Sequence, residues 1–251
     1  MDNSHGAHFA FLDGYSHPLD SGADMVCDSL HKVLPAFTGS ALLHVNTLNY
    51  KKAKKAMKQF CSSSPSYLIM LSTAIALNWA EKNARYEYNS TAKRVSQVKE
   101  RLSSDGYLIP DCEPLRIYIK GNGKEINRLL EQNGCKTEFY DEDGVLLMFS
   151  PSNTPEDFEK ITKALIGIDI AKKLPSINTI SDILPIRKMT LNKAFYSDYE
   201  VVPITDSVGR VAAECLGKYP PGIPKALMGE VITKECLYGV TQLQVSVVKN
   251  V

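Results

Sequence analysis

The 251-residue sequence predicts an α/β protein of two domains. Short apolar runs bounded by Gly, Ser and Asp are followed by helical patterns over residues 1–106. Beyond that point the pattern changes to a β-α-β-β-α succession, and a Pro/Gly-rich segment follows at 218–230. We therefore expect a first domain over residues 1–106 and a smaller α/β domain over residues 107–251.

The first elements are two short strands. "GADMVCDS" (22–29) and "SALLHVN" (40–46) are apolar runs of strand length, which is typical of buried strands. The link between them contains Pro35 and Gly39, so residues 30–39 are predicted to form a loop.

Two helical segments follow these strands. Residues 50–60 place alanines and Met57 on one side and lysines elsewhere, which predicts an exposed amphipathic helix. Residues 62–106 predict a long helical region that begins near Ser64 and ends at Gly106. Its apolar first part, 67–80, is short for a membrane span and is predicted to be a buried helix.

The remaining elements are shorter. They are, in order, a strand at 114–121, a helix at 123–134, a hairpin at 136–150, a helix at 154–168, a linker at 171–187, a helix at 204–217, an irregular segment at 218–233 and a strand at 241–250. Asp143-Gly144 marks the hairpin turn, and Thr154-Pro155 with an acidic first turn marks a helix start.

Composition excludes several classes of protein. Twenty-nine basic and 28 acidic residues leave a formal charge of +1, which indicates neither a nucleic-acid partner nor a membrane partner. The six cysteines form no C-x-x-C pair, and the first residues lack the cationic start and apolar core of a signal peptide. We expect a cytoplasmic protein with reduced cysteines.

All five histidines lie within the first 44 residues, where two polar clusters stand out. One cluster is Asp2, His5 and His8, and the other is Ser29, His31 and Lys32. The first cluster fits a metal site but has no closing ligand nearby. The second fits a Ser-His nucleophile but lacks a G-x-S-x-G motif. Polar groups at strand ends are a third interpretation, and all three stay open on the residues alone.

A fourth interpretation joins the two clusters in a cofactor site. In an open α/β sheet, ligands bind beyond the carboxyl ends of the strands, so adjacent strands can direct Asp2 and Lys32 into one crevice. Pyridoxal phosphate (PLP) requires a lysine, a carboxylate for its ring nitrogen and hydrogen-bond donors for its phosphate. Ser29 and His31 complete that set.

Four stretches resemble a known family. "DNSHGAHFAF", "GADMVCDSLHKVLPAFTGSALLHV", "SSSPSYLIMLS" and "YPPGIPKALMGE" are similar to segments of the Orn/Lys/Arg decarboxylases of PLP fold type I. The resemblance implies the C-terminal half of the family's usual chain. That half comprises part of a large domain with a mixed, mostly parallel sheet and helices, and a smaller α+β C-terminal domain.

The resemblance also implies residue roles. Lys32 matches the covalent anchor of PLP, Asp2 the partner of the ring nitrogen, and His5 a position near the ring hydroxyl; Lys32 and His5 are the catalytic candidates. Ser29 and His31 match phosphate contacts. Ser63 matches a hydroxyl presented to the partner subunit's cofactor. The other histidines have no assigned role and are expected to be structural.

The implied activity is decarboxylation of lysine, ornithine or arginine to a polyamine or its precursor, in a homodimer or higher homo-oligomer. A non-catalytic remnant of such an enzyme is one alternative. Another fold type I reaction, catalysed by an aldolase, lyase or aminotransferase, is a second. "MGE" (228–230) departs from the family's usual Pro-Gly-Glu, and Glu230 is a candidate for binding the distal cation of the substrate.

Overall fold

The computed structural model describes residues 1–169, 184–217, 223–237, 240 and 242–249. The chain divides into two compact units, Met1–Pro175 and Ser176–Val251. No described helix has both the length and the apolar character needed to cross a membrane.

The first unit begins with a small sheet. β1 (Met25–Ser29) pairs antiparallel with β2 (Ala41–Val45). The first residues of the chain run parallel to β1, since the Cys27 amide donates to the Met1 carbonyl and the Asn3 amide donates to the Cys27 carbonyl. The two predicted strands and the α/β class are thus confirmed, but the predicted burial is wrong for β2, which buries no residue, whereas β1 buries Val26 and Asp28. β1 and β2 are antiparallel because the short link between them turns straight back and holds no crossover.

The link itself differs from the prediction. It begins with α1 (Leu30–Val33), a single helical turn, where a loop was predicted over residues 30–39. The turn forms because Leu30 is fully buried against the first helical elements of the chain, which holds the segment close to β1. The residues after α1 are irregular, as the proline and glycine predict.

Three helices then follow in sequence. They are α2 (Tyr50–Phe60), α3 (Tyr67–Trp79) and α4 (Arg85–Ser104), with a π-helical turn at Ala80–Ala84 joining the last two. The N-cap of α3 is Ser66, whose hydroxyl accepts from the Ile69 amide at 3.4 Å, two residues beyond the predicted Ser64. Gly106 adopts φ 94° after α4, as expected of a helix-ending glycine.

The predicted burial of residues 67–80 is wrong. In α3 the side chains of Tyr67, Leu68, Leu71 and Ile75 are exposed. The helix is apolar on all sides, and within the described residues only one side packs against the chain, where Ser72 and Ala76 are buried. By contrast, the more charged α4 buries a regular apolar face.

The rest of the first unit is a three-stranded antiparallel sheet with helices. Its strands in spatial order are β3 (Arg116–Lys120), β5 (Gly144–Met148) and β4 (Phe139–Tyr140). Its helices are α5 (Gly123–Gln132) and α6 (Pro155–Leu165). All five elements lie where the sequence predicts a strand, a hairpin or a helix.

One core joins these elements to α4. Val95, Val98 and Leu102 of α4 belong to the same buried cluster as Ile117 of β3 and Leu130 of α5. The predicted domain boundary after residue 106 therefore falls inside one packed unit, because the last turns of α4 bury their apolar face against the sheet that follows.

The second unit is built from short elements. They are α7 (Leu191–Phe195), β6 (Tyr199–Pro203) paired with β9 (Gln244–Val248), β7 (Leu216–Gly217) paired with β8 (Pro224–Ala226), and 3-10 turns at Ile204–Ser207 and Glu235–Leu237. The predicted final strand is confirmed as β9.

The predicted helix at 204–217 is wrong. After one 3-10 turn, Gly209 adopts φ 83° and the chain becomes extended. The Gly209 amide donates to Ile232 and the Ala212 amide donates to Glu230, so these amides bond to a distant segment instead of to the preceding turn. Residues 170–183, which hold most of the predicted linker, and residues 218–222, which begin the predicted irregular segment, lie outside the described part of the chain.

Candidate functional site

The two predicted polar clusters meet at the carboxyl end of β1. Lys32 lies on α1, which starts directly after β1, and His5 follows the segment that runs beside the same strand. The Lys32 Nζ and the His5 Nε2 are 3.3 Å apart. Both parallel segments therefore deliver their side chains to one edge, as the open-sheet argument predicts.

The Lys32 amine is available for chemistry. Its side chain is exposed, and among the described residues no carboxylate forms an ion pair with it. Partial burial lowers the pKa of His5 below its ordinary 6.5, and the positive charges of Lys32 and Arg116 lower it further. At neutral pH the imidazole beside the amine is therefore mostly uncharged.

Asp2 supplies an ionised carboxylate. Its Oδ1 accepts hydrogen bonds from the Ser4 hydroxyl and from the Ser4 amide at 2.9 Å. These two bonds lower the pKa of Asp2, and the charges of Lys32 and His5 contribute in the same direction. A fully exposed carboxylate held in its charged form is suited to face a cationic ring nitrogen.

The phosphate candidates lie on the same strand and turn. Ser29 is the last residue of β1 and is half-buried. The Nδ1 of His31 lies 3.1 Å from the Ser40 carbonyl oxygen, so it carries a hydrogen and donates, which leaves Nε2 for another partner. Ser63 is exposed in the loop before α3, and no hydrogen bond within the described residues joins it to the other candidates.

A partly buried cluster of polar and charged side chains lies near Lys32. The His8 Nε2 is 3.2 Å from one oxygen of Glu113, and the Arg116 Nε is 2.8 Å from the other. Burial raises the pKa of Glu113, but the hydrogen bond and charge of His8, the Leu115 amide and Arg116 outweigh it, so the net shift is downward. A cavity of about 30 Å³ separates this cluster from Lys32, which is room for one water molecule.

Comparison with known families identifies the chain. Residues 1–172 match the family described as "Orn/Lys/Arg decarboxylase, major domain", and residues 182–245 match "Orn/Lys/Arg decarboxylase, C-terminal domain". The chain belongs to the Orn/Lys/Arg decarboxylase family.

Two curated relatives come from Bacillus subtilis strain 168. An arginine decarboxylase is 26% identical over 94% of this chain and 53% of its own length. An uncharacterized protein, YaaO, is 30% identical over 97% of this chain and 55% of its own length. The chain thus spans about half the length of the curated relatives it matches.

A solved structure shares the fold. The lysine decarboxylase LdcF of Francisella novicida aligns with a TM-score of 0.73 at 17% identity, over 98% of this chain and 53% of that chain. At this identity the likeness concerns the fold alone, and it agrees with the expected PLP fold type I architecture.

In this chain, the geometry of the polar clusters favours the cofactor-site interpretation over the metal site and the Ser-His nucleophile. Asp2, His5 and His8 do not converge as metal ligands, because they bond to Ser4, Lys32 and Glu113 respectively. The proposed Ser29–His31 nucleophile pair also gains no support, since His31 Nδ1 bonds to the Ser40 carbonyl.

Sequence reasoning missed several polar groups near the site. Glu113 lies between a long helix and β3, and Arg116 is the first residue of β3; no local pattern relates them to His8, which is more than 100 residues earlier. Asp28 did carry a signal, because strand alternation places it on the same inward face as the buried Val26. Glu230, the candidate substrate contact, is engaged within its own loop, where it accepts from the Leu227 amide at 2.8 Å.

Proposed function

We propose that this chain carries the cofactor anchor of a PLP-dependent decarboxylase of a basic amino acid, namely lysine, ornithine or arginine. The observation that carries the proposal is the pairing at the end of β1. An exposed lysine amine, without a carboxylate ion pair among the described residues, lies 3.3 Å from the His5 imidazole, and the Asp2 carboxylate lies on the adjacent parallel segment.

The residues fit the chemical demands of PLP. When bound, PLP provides the electron sink for the electrons released as the α-carboxylate leaves as CO₂. Lys32 offers the amine for covalent attachment. The ionised Asp2 holds a proton on the ring nitrogen, and His5 offers a neutral hydrogen-bonding nitrogen beside the anchor.

Phosphate binding is assigned to Ser29 and His31. Ser29 is the last residue of β1 and lies two residues before His31. The His31 ring is held in place by the hydrogen bond from its Nδ1 to the Ser40 carbonyl. That hydrogen bond leaves the His31 Nε2 as the ring atom that would face a phosphate oxygen. Both groups precede Lys32 by no more than three residues, so one short segment positions the anchor and the phosphate contacts.

The proposed assembly is a homodimer or higher homo-oligomer. Exposed apolar side chains along α3 form the kind of surface that marks an interaction site. The family resemblance places Ser63, in the loop before α3, against the cofactor of a partner subunit. Because the chain spans only about half of its relatives, turnover, substrate choice and assembly of the whole protein all belong to this proposal.

A second candidate is cofactor binding without turnover. It is favoured by the exposed α3 and by the incomplete coverage of the relatives. The resemblance assigns the group that stacks on the cofactor, and much of the phosphate cradle, to sequence that this chain does not contain.

Turnover assays separate the two candidates. CO₂ release from lysine, ornithine and arginine is measured in the presence of PLP, for the chain alone and for the chain co-expressed with the N-terminal half of a relative. Decarboxylation that is lost in Lys32→Ala supports the first candidate. Bound PLP with no CO₂ release in either arrangement supports the second.

The mass of the product identifies the reaction class. Loss of CO₂ from the amino acid is expected. A transaminated or cleaved product would instead indicate an aminotransferase or aldolase reaction, which fold type I also supports.

A further inference from the structure

We propose that His17, Asp28 and His44 form a binding site for a divalent transition-metal ion such as Zn²⁺. This site is independent of the proposed function, and the resemblance assigns no role to its histidines. The three residues come from the loop before β1, from β1 and from β2.

The potential ligand atoms already converge. The His17 Nε2 is 3.0 Å and the His44 Nε2 is 2.9 Å from the same oxygen, Oδ2 of Asp28. All three atoms lie within 4.8 Å of one another. The β1–β2 register supports this meeting, because Val26 pairs with His44 and Asp28 pairs with Leu42, so Asp28 and His44 are diagonal neighbours on one face.

The charge of the site calls for a cation. The Asp28 side chain is only 3% exposed, and its ion-pair partners within the described residues are the two histidines. The charge of a buried carboxylate is costly to leave uncompensated. A divalent ion bound by all three groups would compensate that charge.

The donor set suits zinc. Two imidazole nitrogens and one carboxylate oxygen are three common zinc ligands, and they leave a fourth tetrahedral position for water. The other oxygen of Asp28 accepts from the Asn3 side-chain amide at 2.7 Å, which orients the carboxylate as an outer-shell partner does in metal sites. His44 is one-third exposed, so an ion can reach the cluster from solvent.

The alternative to a metal ion is a hydrogen atom on the His17 Nε2 that bonds to Asp28. The His17 Nδ1 accepts from the Leu19 amide at 3.3 Å, so without metal the His17 Nε2 carries a hydrogen and donates it to Asp28. On metal binding, the Nε2 hydrogen is released and Nδ1 takes up one in its place, so the ring stays neutral, Nε2 gives its lone pair to the ion, and the weak Leu19 contact is lost. The experiment must therefore distinguish a metal site from a purely hydrogen-bonded cluster.

The test uses the untagged 251-residue chain after removal of metal with a chelator. Zn²⁺ is titrated by calorimetry, and Co²⁺ by its visible absorption, which reports tetrahedral coordination. We expect one equivalent to bind to the folded chain. His17→Ala and His44→Ala are each expected to weaken binding by at least the roughly 10–100-fold typical of outer-shell changes, and Asn3→Ala by about that amount.

Two control variants keep the result interpretable. His5→Ala removes a histidine of the other polar cluster and should bind Zn²⁺ as tightly as the unchanged chain. Asp28→Asn keeps the shape of the side chain but removes its charge and replaces one acceptor oxygen with a donor, and it should lose binding while retaining its far-ultraviolet circular dichroism.

Either of two results would overturn the proposal. One is a folded, metal-free chain that binds no Zn²⁺, which would show that the cluster holds hydrogens only. The other is evidence that the metal lies on other residues. Such evidence would be loss of binding in His5→Ala, intact binding in Asp28→Asn, or a cobalt–thiolate absorption band.

Discussion

The two parts of the first unit bury apolar side chains to very different extents. In residues 85–168, one core joins three helices to the β3–β5–β4 sheet. In residues 25–79, β2 contains no buried residue and α3 buries only Ser72 and Ala76. Lys32, Ser29, His31 and Ser63 lie in residues 25–79, so most of the candidate cofactor residues belong to the part that leaves more apolar surface uncovered.

Apolar residues therefore have different roles in the two parts. In the later part, apolar residues recur with the period of each element and pack against one another, so they stabilise this chain directly. In α3 they cover the whole helix, and the described part of the chain packs against only one side of it. An exposed apolar surface of this kind marks an interaction site.

Truncations in the two parts should differ most in their effect on stability. Leu130→Ala removes a fully buried side chain from the core and is expected to lower the free energy of unfolding by about 2–5 kcal/mol. The matched change Leu71→Ala removes a side chain that is 58% exposed and is expected to change it by about 0.5 kcal/mol or less. Urea denaturation of both variants measures the difference, and equal losses would show that α3 is covered within this chain.

A charge on α3 should alter association and leave folding unchanged. Ile75→Lys places an ammonium in the exposed apolar surface, so the unfolding free energy should change by about 0.5 kcal/mol or less. If a second copy covers this surface, light scattering should show a lower molar mass at equal concentration. Glu81→Lys, on the following turn, is the matched control, and an unchanged molar mass for Ile75→Lys would place the interface elsewhere.

The smallest expected effect concerns pH. The pKa of His5 is lowered in the folded chain, so below about pH 6.5 the unfolded chain binds a proton that the folded chain resists. The free energy of unfolding should therefore decrease as the pH falls through 6.5, and His5→Gln should reduce that slope. Thermal unfolding of both chains across this pH range measures it, and identical slopes would mean that His5 titrates normally.

Much of the fold follows from local sequence. β1 and β2 come from apolar runs of strand length, β3 comes from an alternating pattern, and α6 begins at the capping box of Thr154 and Asp157. The site could be predicted in part, because Lys32 and Asp2 follow from motif and strand-end reasoning. These signals act over a few residues and are therefore visible in one sequence.

The wrong predictions share one physical cause, because long-range packing determines the structure at each of these places. Burial of α3 depends on what covers it, and the extended backbone at Gly209 depends on partners some 20 residues away. Likewise, the role of Asp28 depends on its contacts with His17 and His44, which are distant from it along the chain. Local periodicity carries no information about such partners.

The most direct test of the account is to locate PLP on the chain. The protein is incubated with PLP, treated with borohydride to make the lysine linkage permanent, digested and analysed by mass spectrometry. We expect the added mass on the peptide that contains Lys32, and its loss in Lys32→Ala but not in Lys51→Ala, which removes an exposed lysine of α2. Label spread over the exposed lysines, and unchanged in Lys32→Ala, would contradict the assignment of Lys32 as the anchor.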